Sequence, residues 1–231
     1  LIDWQVSNLL TGESYCERVA ALTRQATDQI FAMAGRVTKR DEKTAAAIFE
    51  SLLLTGIAMS FTKTSRPGSG TEHIMAHFWE CMELLDSKTP NYHGEDVGVT
   101  TLIMLRYYEA LARLPQVTAH PEICNWDEIY SIYGPLAPDV QKLNSPDTIT
   151  DGIAPRWIEA CWPQIRRIVQ SVPSYDACLA AMRQAGCKTT IEEVGKAPDF
   201  VDISFRFHPY MRRRLSLKRV SHMLDLPEDL F

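Results

Sequence analysis

The chain has 231 residues, 45% of them apolar and 23% charged, with a net charge of −5. That length supports a buried core, the composition is that of an ordinary globular domain, and the acidic balance argues against a duplex-binding surface, which normally carries excess Lys and Arg. No uninterrupted apolar run approaches the roughly 18 residues of a membrane span; the longest, 45–61, contains Glu50, Ser51, Thr55, Gly56 and Ser60.

Almost every segment has helical periodicity, and none alternates with period two long enough for a strand. Residues 1–10 read as a helix stopped by Thr11-Gly12, and 15–37 carry Val19, Leu22, Ile30, Phe31 and Met33 on one helical face. Asp41 is an N-cap for a helix to about Thr62. That helix is apolar nearly all round from Ile48 to Met59, so it is expected at the buried centre of a bundle, with Gly56 marking a close helix crossing. Pro67 to Gly70 break the chain, and Ser69 or Thr71 can cap the next helix. His93-Gly94 opens another long, central helix to about Leu114. Beyond Pro115, prolines punctuate shorter helices expected at Trp126–Tyr133, 138–143, 155–172 (broken near Pro163), Tyr175–Ala185, 190–194 and from Pro198 onward. The fold class is all-α, one domain with a core bundle at 1–115 and a smaller helical part at 116–231.

The six cysteines (Cys16, Cys81, Cys124, Cys161, Cys178, Cys187) are dispersed and form no C-x-x-C. They read as reduced, mostly buried thiols of a cytoplasmic protein, without a cysteine-based zinc site. There is no signal-peptide pattern, and the missing initiator Met suggests an N-terminus that is not native.

The chemistry concentrates at S-R-P-G-S-G-T-E-H-I-M-A-H-F-W-E and Y-H-G-E-D, from Ser65 to Asp96. His73 and His77, four apart, stack on one helical face, and His93 opens the helix that follows a short loop. Histidines from adjacent helices plus a carboxylate suit Zn, Fe or Ni and leave a position open; the alternative is histidines that face solvent or bond within the core. Glu95 and Asp96 fit the helix dipole, and Glu72 and Glu80 read as outer or solvent-facing groups. The basic set Arg206, Arg212, Arg213, Arg214, Lys218 and Arg219, with His208, is a solvated face or a positive rim near an anionic substrate. Met75, Trp79, Met82 and Trp157 are expected in the core.

S-R-P-G-S-G-T-E-H-I-M-A-H followed by H-G-E-D-V-G resembles the metal and substrate segment of sn-glycerol-1-phosphate dehydrogenases, within the iron-containing alcohol dehydrogenase, glycerol dehydrogenase and dehydroquinate synthase superfamily. L-I-D-W-Q-V-S-N-L-L-T-G-E-S-Y-C and E-S-L-L-L-T-G-I-A-M-S resemble the same family's helical domain. The resemblance is specific from Leu1 to about Tyr108, thin to about Ala197, and returns weakly at His208-Pro-Tyr-Met-Arg-Arg-Arg. It implies a helical bundle like the C-terminal metal- and substrate-binding domain of the dehydroquinate synthase-like fold. It also implies His73 and His93 as metal ligands for Zn, Ni or Fe, His77 as the catalytic and substrate-contacting group, and Arg66 as an anion clamp, the alternative for Arg66 being a structural arginine that fixes the Pro67 turn.

The family's N-terminal nucleotide-binding domain, which would hold NAD(P), has no counterpart in this chain. The family's third ligand, an aspartate in G-D-x-L, would fall ahead of Leu1; Asp3, inside L-I-D-W, is not its equivalent. The resemblance therefore implies the helical half of an NAD(P)-linked oxidoreductase of phospholipid metabolism that reduces dihydroxyacetone phosphate to glycerol 1-phosphate, inactive as this chain alone. Its expected partner is that small phosphorylated substrate, with neither nucleic acid nor membrane, and homo-oligomerisation stays open. Another polyol dehydrogenase or a dehydroquinate synthase-like cyclase is the alternative within the class, and a non-catalytic helical binding or assembly module is the alternative outside it.

Overall fold

Local capping sets the first elements of the computed structural model, which describes residues 1–231. Helix α1 (Ile2–Thr11) stops where Gly12 turns left-handed at φ 74°, a conformation that costs glycine little. The second periodic segment becomes α2 (Glu17–Met33) plus a 3₁₀ turn (Ala34–Lys39). Asp41 caps α3 (Glu42–Thr62) by accepting from Thr44 N at 2.8 Å. Then come α4 (Thr71–Leu85), α5 (His93–Arg113), α6 (Trp126–Tyr133), α7 (Ala137–Asn144), α8 (Pro155–Gln170), α9 (Tyr175–Ala185), α10 (Pro198–Phe207) and α11 (Leu217–Ser221). There is no strand, only one bridge between Ala119 and Leu224. Residues 191–195 form turns rather than the expected short helix.

Two cores share α5. One joins α1, α5, α8 and the C-terminal stretch through Val6, Leu111, Ile158, Trp162 and Leu217. The other joins α4, α5, α6, α7 and α10 through Met75, Phe78, Trp79, Met104, Tyr133, Val140 and Phe207. Both draw on residues before and after Pro115, so the two expected parts are packed into common cores. Helix α8 runs through Pro163 without a break; the burial of Ile158, Trp162 and Ile165 on one face outweighs the backbone bond that the proline forgoes.

Several expectations fail for one reason: apolar character does not say which face finds cover. Helix α3 is not a bundle centre. Its buried residues are Thr44, Ser51 and Ala58, while Phe49, Leu52, Leu53, Ile57 and Phe61 are exposed. Despite its polar interruptions, α3 is also long and apolar enough, by length and composition, to cross a membrane. It packs chiefly on α2, over a small cluster of Trp4, Val19, Ala20 and Ala58. Trp157 is exposed, whereas Met75 and Trp79 are core as expected. All six cysteines are free, but only Cys161 is buried.

Candidate metal and substrate site

The site rests on the start of α4, capped from elsewhere in the chain. Gly70 is the N-cap and offers no side chain. Neither Ser69 nor Thr71 caps the helix as expected. Instead the Asp3 carboxylate accepts from Thr71 N at 2.7 Å, and Glu72 Oε1 accepts from Gly70 N at 2.8 Å. A side chain at Gly70 would put Cβ 2.6 Å from Glu72 Oε2 and 2.9 Å from Asp3 Oδ2. The absence of a side chain at Gly70 leaves room for these carboxylates. Asp3 also accepts from Tyr108 Oη at 2.7 Å and Leu217 N at 2.8 Å, tying α1, α4, α5 and α11 together. Burial, and next the charge of Glu72, push the Asp3 pKa up despite those three donors.

The structure brings His73, His77 and His93 together. The His73 and His93 rings lie 5.5 Å apart and tilted by 54°; the His77 and His93 rings stack at 4.9 Å and 19°. Each imidazole is held by a carboxylate. His73 Nδ1 donates to Glu72 Oε1 at 2.7 Å, His77 Nδ1 to Glu80 Oε2 at 3.0 Å, and His93 Nδ1 to Glu80 Oε1 at 2.6 Å. Burial works to raise both glutamates, but the histidine hydrogen bonds and charges outweigh it. They bring Glu72 down to about 2 and lower Glu80 as well. Ionised carboxylates can only accept, which puts the ring protons on Nδ1 and leaves each Nε2 lone pair without a protein partner. Carboxylate–histidine pairs of this kind orient metal ligands, so the side chains present fit a divalent cation.

Two donor sets share His93. His77, Glu80 and His93 offer ligand atoms within 4.8 Å of one another, the tightest grouping by distance. Yet both Glu80 oxygens are occupied by Nδ1 protons, and lone pairs of nearly parallel stacked rings run alongside each other rather than converge. The His73–His93 pair is wider by ring centroid, 5.5 Å against 4.9 Å, and tilted rather than stacked.

The helix that starts at His93 is anchored by a buried ion cluster. Lys196 Nζ lies 2.5 Å from Glu83 Oε1 on α4 and 3.4 Å from Asp96 Oδ2 on α5. Asn91 donates to Asp96 at 3.0 Å and to the Val194 carbonyl at 2.8 Å. The cluster fixes the end of α4 against the start of α5, and with it the separation of the histidines.

On its inner side the site opens into a cavity of about 410 Å³, walled by Asp3, Thr27, Gly68–His73, Thr101 and Tyr108. His73 reaches that wall; His77 and His93 lie outside it and more exposed. The volume lies within the usual range for small-molecule sites.

No family model matches the chain. It is 26% identical over 231 residues to the glycerol-1-phosphate dehydrogenase [NAD(P)+] of Geobacillus stearothermophilus, covering 100% of this chain and 50% of that protein. The enzyme of the same name from Bacillus licheniformis is 34% identical over 143 residues, 62% of this chain and 34% of its own length. That from Methanosarcina acetivorans is 33% identical over 159 residues, 68% and 38% respectively. The chain is glycerol-1-phosphate dehydrogenase-like. It spans at most about half the length of these relatives.

Against that likeness, Arg66 departs from its expected part as an anion clamp. It is buried and spent internally: Nε and Nη2 grip Glu13 at 2.8 and 2.6 Å, Nη1 donates to the Leu215 carbonyl at 2.9 Å, and Nη2 reaches Ser7 Oγ at 3.3 Å. It fixes the Pro67 turn against α1 and the C-terminal stretch. The cation on the cavity wall is Arg24, paired with Glu17.

The basic segment is not a solvated face throughout, nor a rim. Arg219 is fully buried against Glu122 at 2.6 Å, and Lys218 is buried among Tyr107, Phe205 and His222. His208 is fully buried, donating Nδ1–H to the Ser204 carbonyl at 2.7 Å and taking the Thr71 hydroxyl on Nε2 at 2.9 Å. It buttresses the first residue of α4. Glu72 and Glu80, expected behind the histidines or facing solvent, take the first of those places, and Glu80 holds two rings at once. Lys196 lies 113 and 100 residues from Glu83 and Asp96 and gave no signal in the sequence.

Proposed function

We propose that this chain is the helical metal- and substrate-binding part of an NAD(P)-dependent glycerol-1-phosphate dehydrogenase, reducing dihydroxyacetone phosphate by hydride transfer. The observation that carries the reading is the convergence of three histidines, each fixed by a carboxylate, beside a cavity of small-metabolite size. The relatives' printed names supply the reaction class. The nicotinamide cofactor belongs to the part of those relatives that this chain does not span.

His73 and His93 are the metal ligands through Nε2, with Glu72 and Glu80 holding the rings. The third donor is an aspartate outside this chain. A divalent cation, Zn, Ni or Fe, supplies Lewis-acid polarisation of the substrate carbonyl there. His77, held at Nδ1 by Glu80, orients the substrate oxygen and, in its doubly protonated form, delivers the Nε2 proton to the alkoxide that hydride addition leaves. Arg24 is the cation placed to meet the substrate phosphate. Gly70, Asp3 and Tyr108 form the cavity wall next to His73.

The test is metal analysis with steady-state kinetics in the protein that also carries the upstream half. His73→Ala and His93→Ala are expected to lose metal and activity together. His77→Ala should retain metal and lose on the order of 10²–10⁴-fold in turnover, the usual contribution of a general acid. Loss of metal from His77→Ala with retention in His73→Ala would assign the centre to His77, Glu80 and His93 instead.

A further inference from the structure

Helix α4 begins between two carboxylates. Asp3 Oδ2 accepts from Thr71 N at 2.7 Å, while Glu72 Oε1 takes both Gly70 N at 2.8 Å and His73 Nδ1 at 2.7 Å. The start of a helix leaves several backbone N–H groups without partners inside the helix, and either carboxylate could serve them. Here the donors are divided. Asp3, arriving from α1, serves Thr71, and that leaves Glu72 to hold the imidazole.

Charge and space keep that division. A Cβ at Gly70 would lie 2.6 Å from Glu72 Oε2 and 2.9 Å from Asp3 Oδ2, so the two oxygens are no farther apart than the sum of those distances. Asp3 is buried, and like charges this close repel strongly away from water; the charge of Glu72 is felt at Asp3. Asp3 has little freedom to yield, because its other oxygen is held by Tyr108 Oη at 2.7 Å and Leu217 N at 2.8 Å. Glu72 is the looser partner, with 24% of its side chain exposed. Repulsion from Asp3 therefore confines the Glu72 carboxylate to the donors it already has, Gly70 N and the ring.

We propose that Asp3 is the positioning residue of His73. By occupying Thr71 N and excluding Glu72 from that donor, it keeps the Glu72 carboxylate on Nδ1 and the Nε2 lone pair of the ring free. Its effect is confined to His73, since His77 and His93 are held by Glu80, which takes no part in the start of α4. The inference deepens the metal reading and rests on it for its functional meaning, whereas the placement of the ring is measurable without any metal.

The experiment is nitrogen–proton correlation spectroscopy of the isotope-labelled 231-residue chain, at a pH where the imidazoles are neutral, which reads the tautomer of each ring. Which nitrogen carries the proton follows the hydrogen bond that the ring makes, and an imidazole free in water prefers Nε2–H. The wild type is expected to show Nδ1–H at all three histidines. In Asp3→Asn the amide oxygen can keep Tyr108 and Leu217, but the NH2 confronts Thr71 N; both of those donors then draw Glu72 away from the ring. His73 should turn predominantly to Nε2–H, with His77, His93 and the helical circular dichroism unchanged. Tyr108→Phe leaves Asp3 on Thr71 N and should keep His73 at Nδ1–H. Asp3→Ser, too short for Thr71 N and without the opposed amide, serves if the asparagine variant fails to fold. In the longer protein Asp3→Asn should weaken zinc binding roughly 10–100-fold, the usual effect of losing a group behind a ligand, read by chelator competition. A His73 that keeps Nδ1–H in Asp3→Asn, one already at Nε2–H in the wild type, three rings that change together, or an equal release in Tyr108→Phe overturns the proposal. A tautomer change specific to His73 in a longer protein that binds no zinc upholds the placement and removes the metal reading instead.

Discussion

Helices α3 and α5 have the same length, 21 residues, and both read as central in the sequence, yet they end in opposite surroundings. α5 buries ten residues, among them Val99, Met104, Tyr108 and Leu111, because α4, α8 and α9 all pack on it. α3 buries three small ones and turns its phenylalanines and leucines outward. Hydrophobic pattern registers how much a helix needs cover; it does not say whether the cover lies in the same chain. The histidines sit on α4 and α5, whose other faces are buried, while their own rings stay partly exposed and are held by carboxylates.

The largest expected effect breaks that contrast energetically. Trp79→Ala, in the core between α4 and α5, should cost about 3–5 kcal/mol, the usual range for emptying a large buried side chain. Phe49→Ala on α3 should change monomer stability by no more than about 0.5 kcal/mol. Urea denaturation at a concentration where the chain is monomeric checks both. Comparable losses would mean that α3 is buried within the monomer after all.

Nearly as large is the effect at the ion cluster beneath His93. Lys196→Met strands Asp96 and Glu83, and removing one partner of a buried pair costs roughly 3–5 kcal/mol. Adding Asp96→Asn should recover part of that loss, because burial already pushes the Asp96 pKa up and a neutral group suits the site. A double variant as unstable as the single one would show that the cluster is not held by its charges.

How much of this was legible in the sequence follows contact distance. The ends of α6 and α9 were readable because a local cap or a left-handed glycine fixes them: Asn125 and Gly134 for one, Ser174 and Gly186 for the other. The histidine cluster was readable because i,i+4 spacing and a short loop bring it together. Arg66 was misread because its partners, Glu13, Ser7 and Leu215, are 53, 59 and 149 residues away, and no local signal announces a buried ion pair. The basic stretch near the C-terminus was misread similarly, since Arg219 meets Glu122 only in three dimensions.

A smaller effect concerns pH. Burial, and next the charge of Lys218, bring His208 from 6.5 down to about 3. Its folded pKa lies below its unfolded one, so the unfolded chain takes up the proton first. The contribution is therefore complete above about 6.5 and declines as pH falls toward 3. Glu122, brought to about 2 when its His222 and Arg219 partners overcome burial, acts in the same direction below its ordinary 4.5. Thermal melts at pH 7 and pH 5 should show wild type losing stability on acidification, and His208→Gln losing less of it. Equal losses would remove His208 as the source.

The smallest effect opposes two glycines, one from each region. At Gly56 a methyl group enters open space, so Gly56→Ala should stabilise the helix by about 1 kcal/mol. At Gly70 the same methyl lands 2.6 Å from Glu72 Oε2 and 2.9 Å from Asp3 Oδ2. The Glu72 carboxylate can move, being the end of a flexible side chain, but in moving it releases His73 Nδ1. Gly70→Ala should therefore cost about 1 kcal/mol, on the scale of a lost helix cap, and should also weaken metal retention in the longer protein. Gly56→Ala should leave retention unchanged. Stability changes of the same sign at both positions would show that neither glycine is placed by the contacts described.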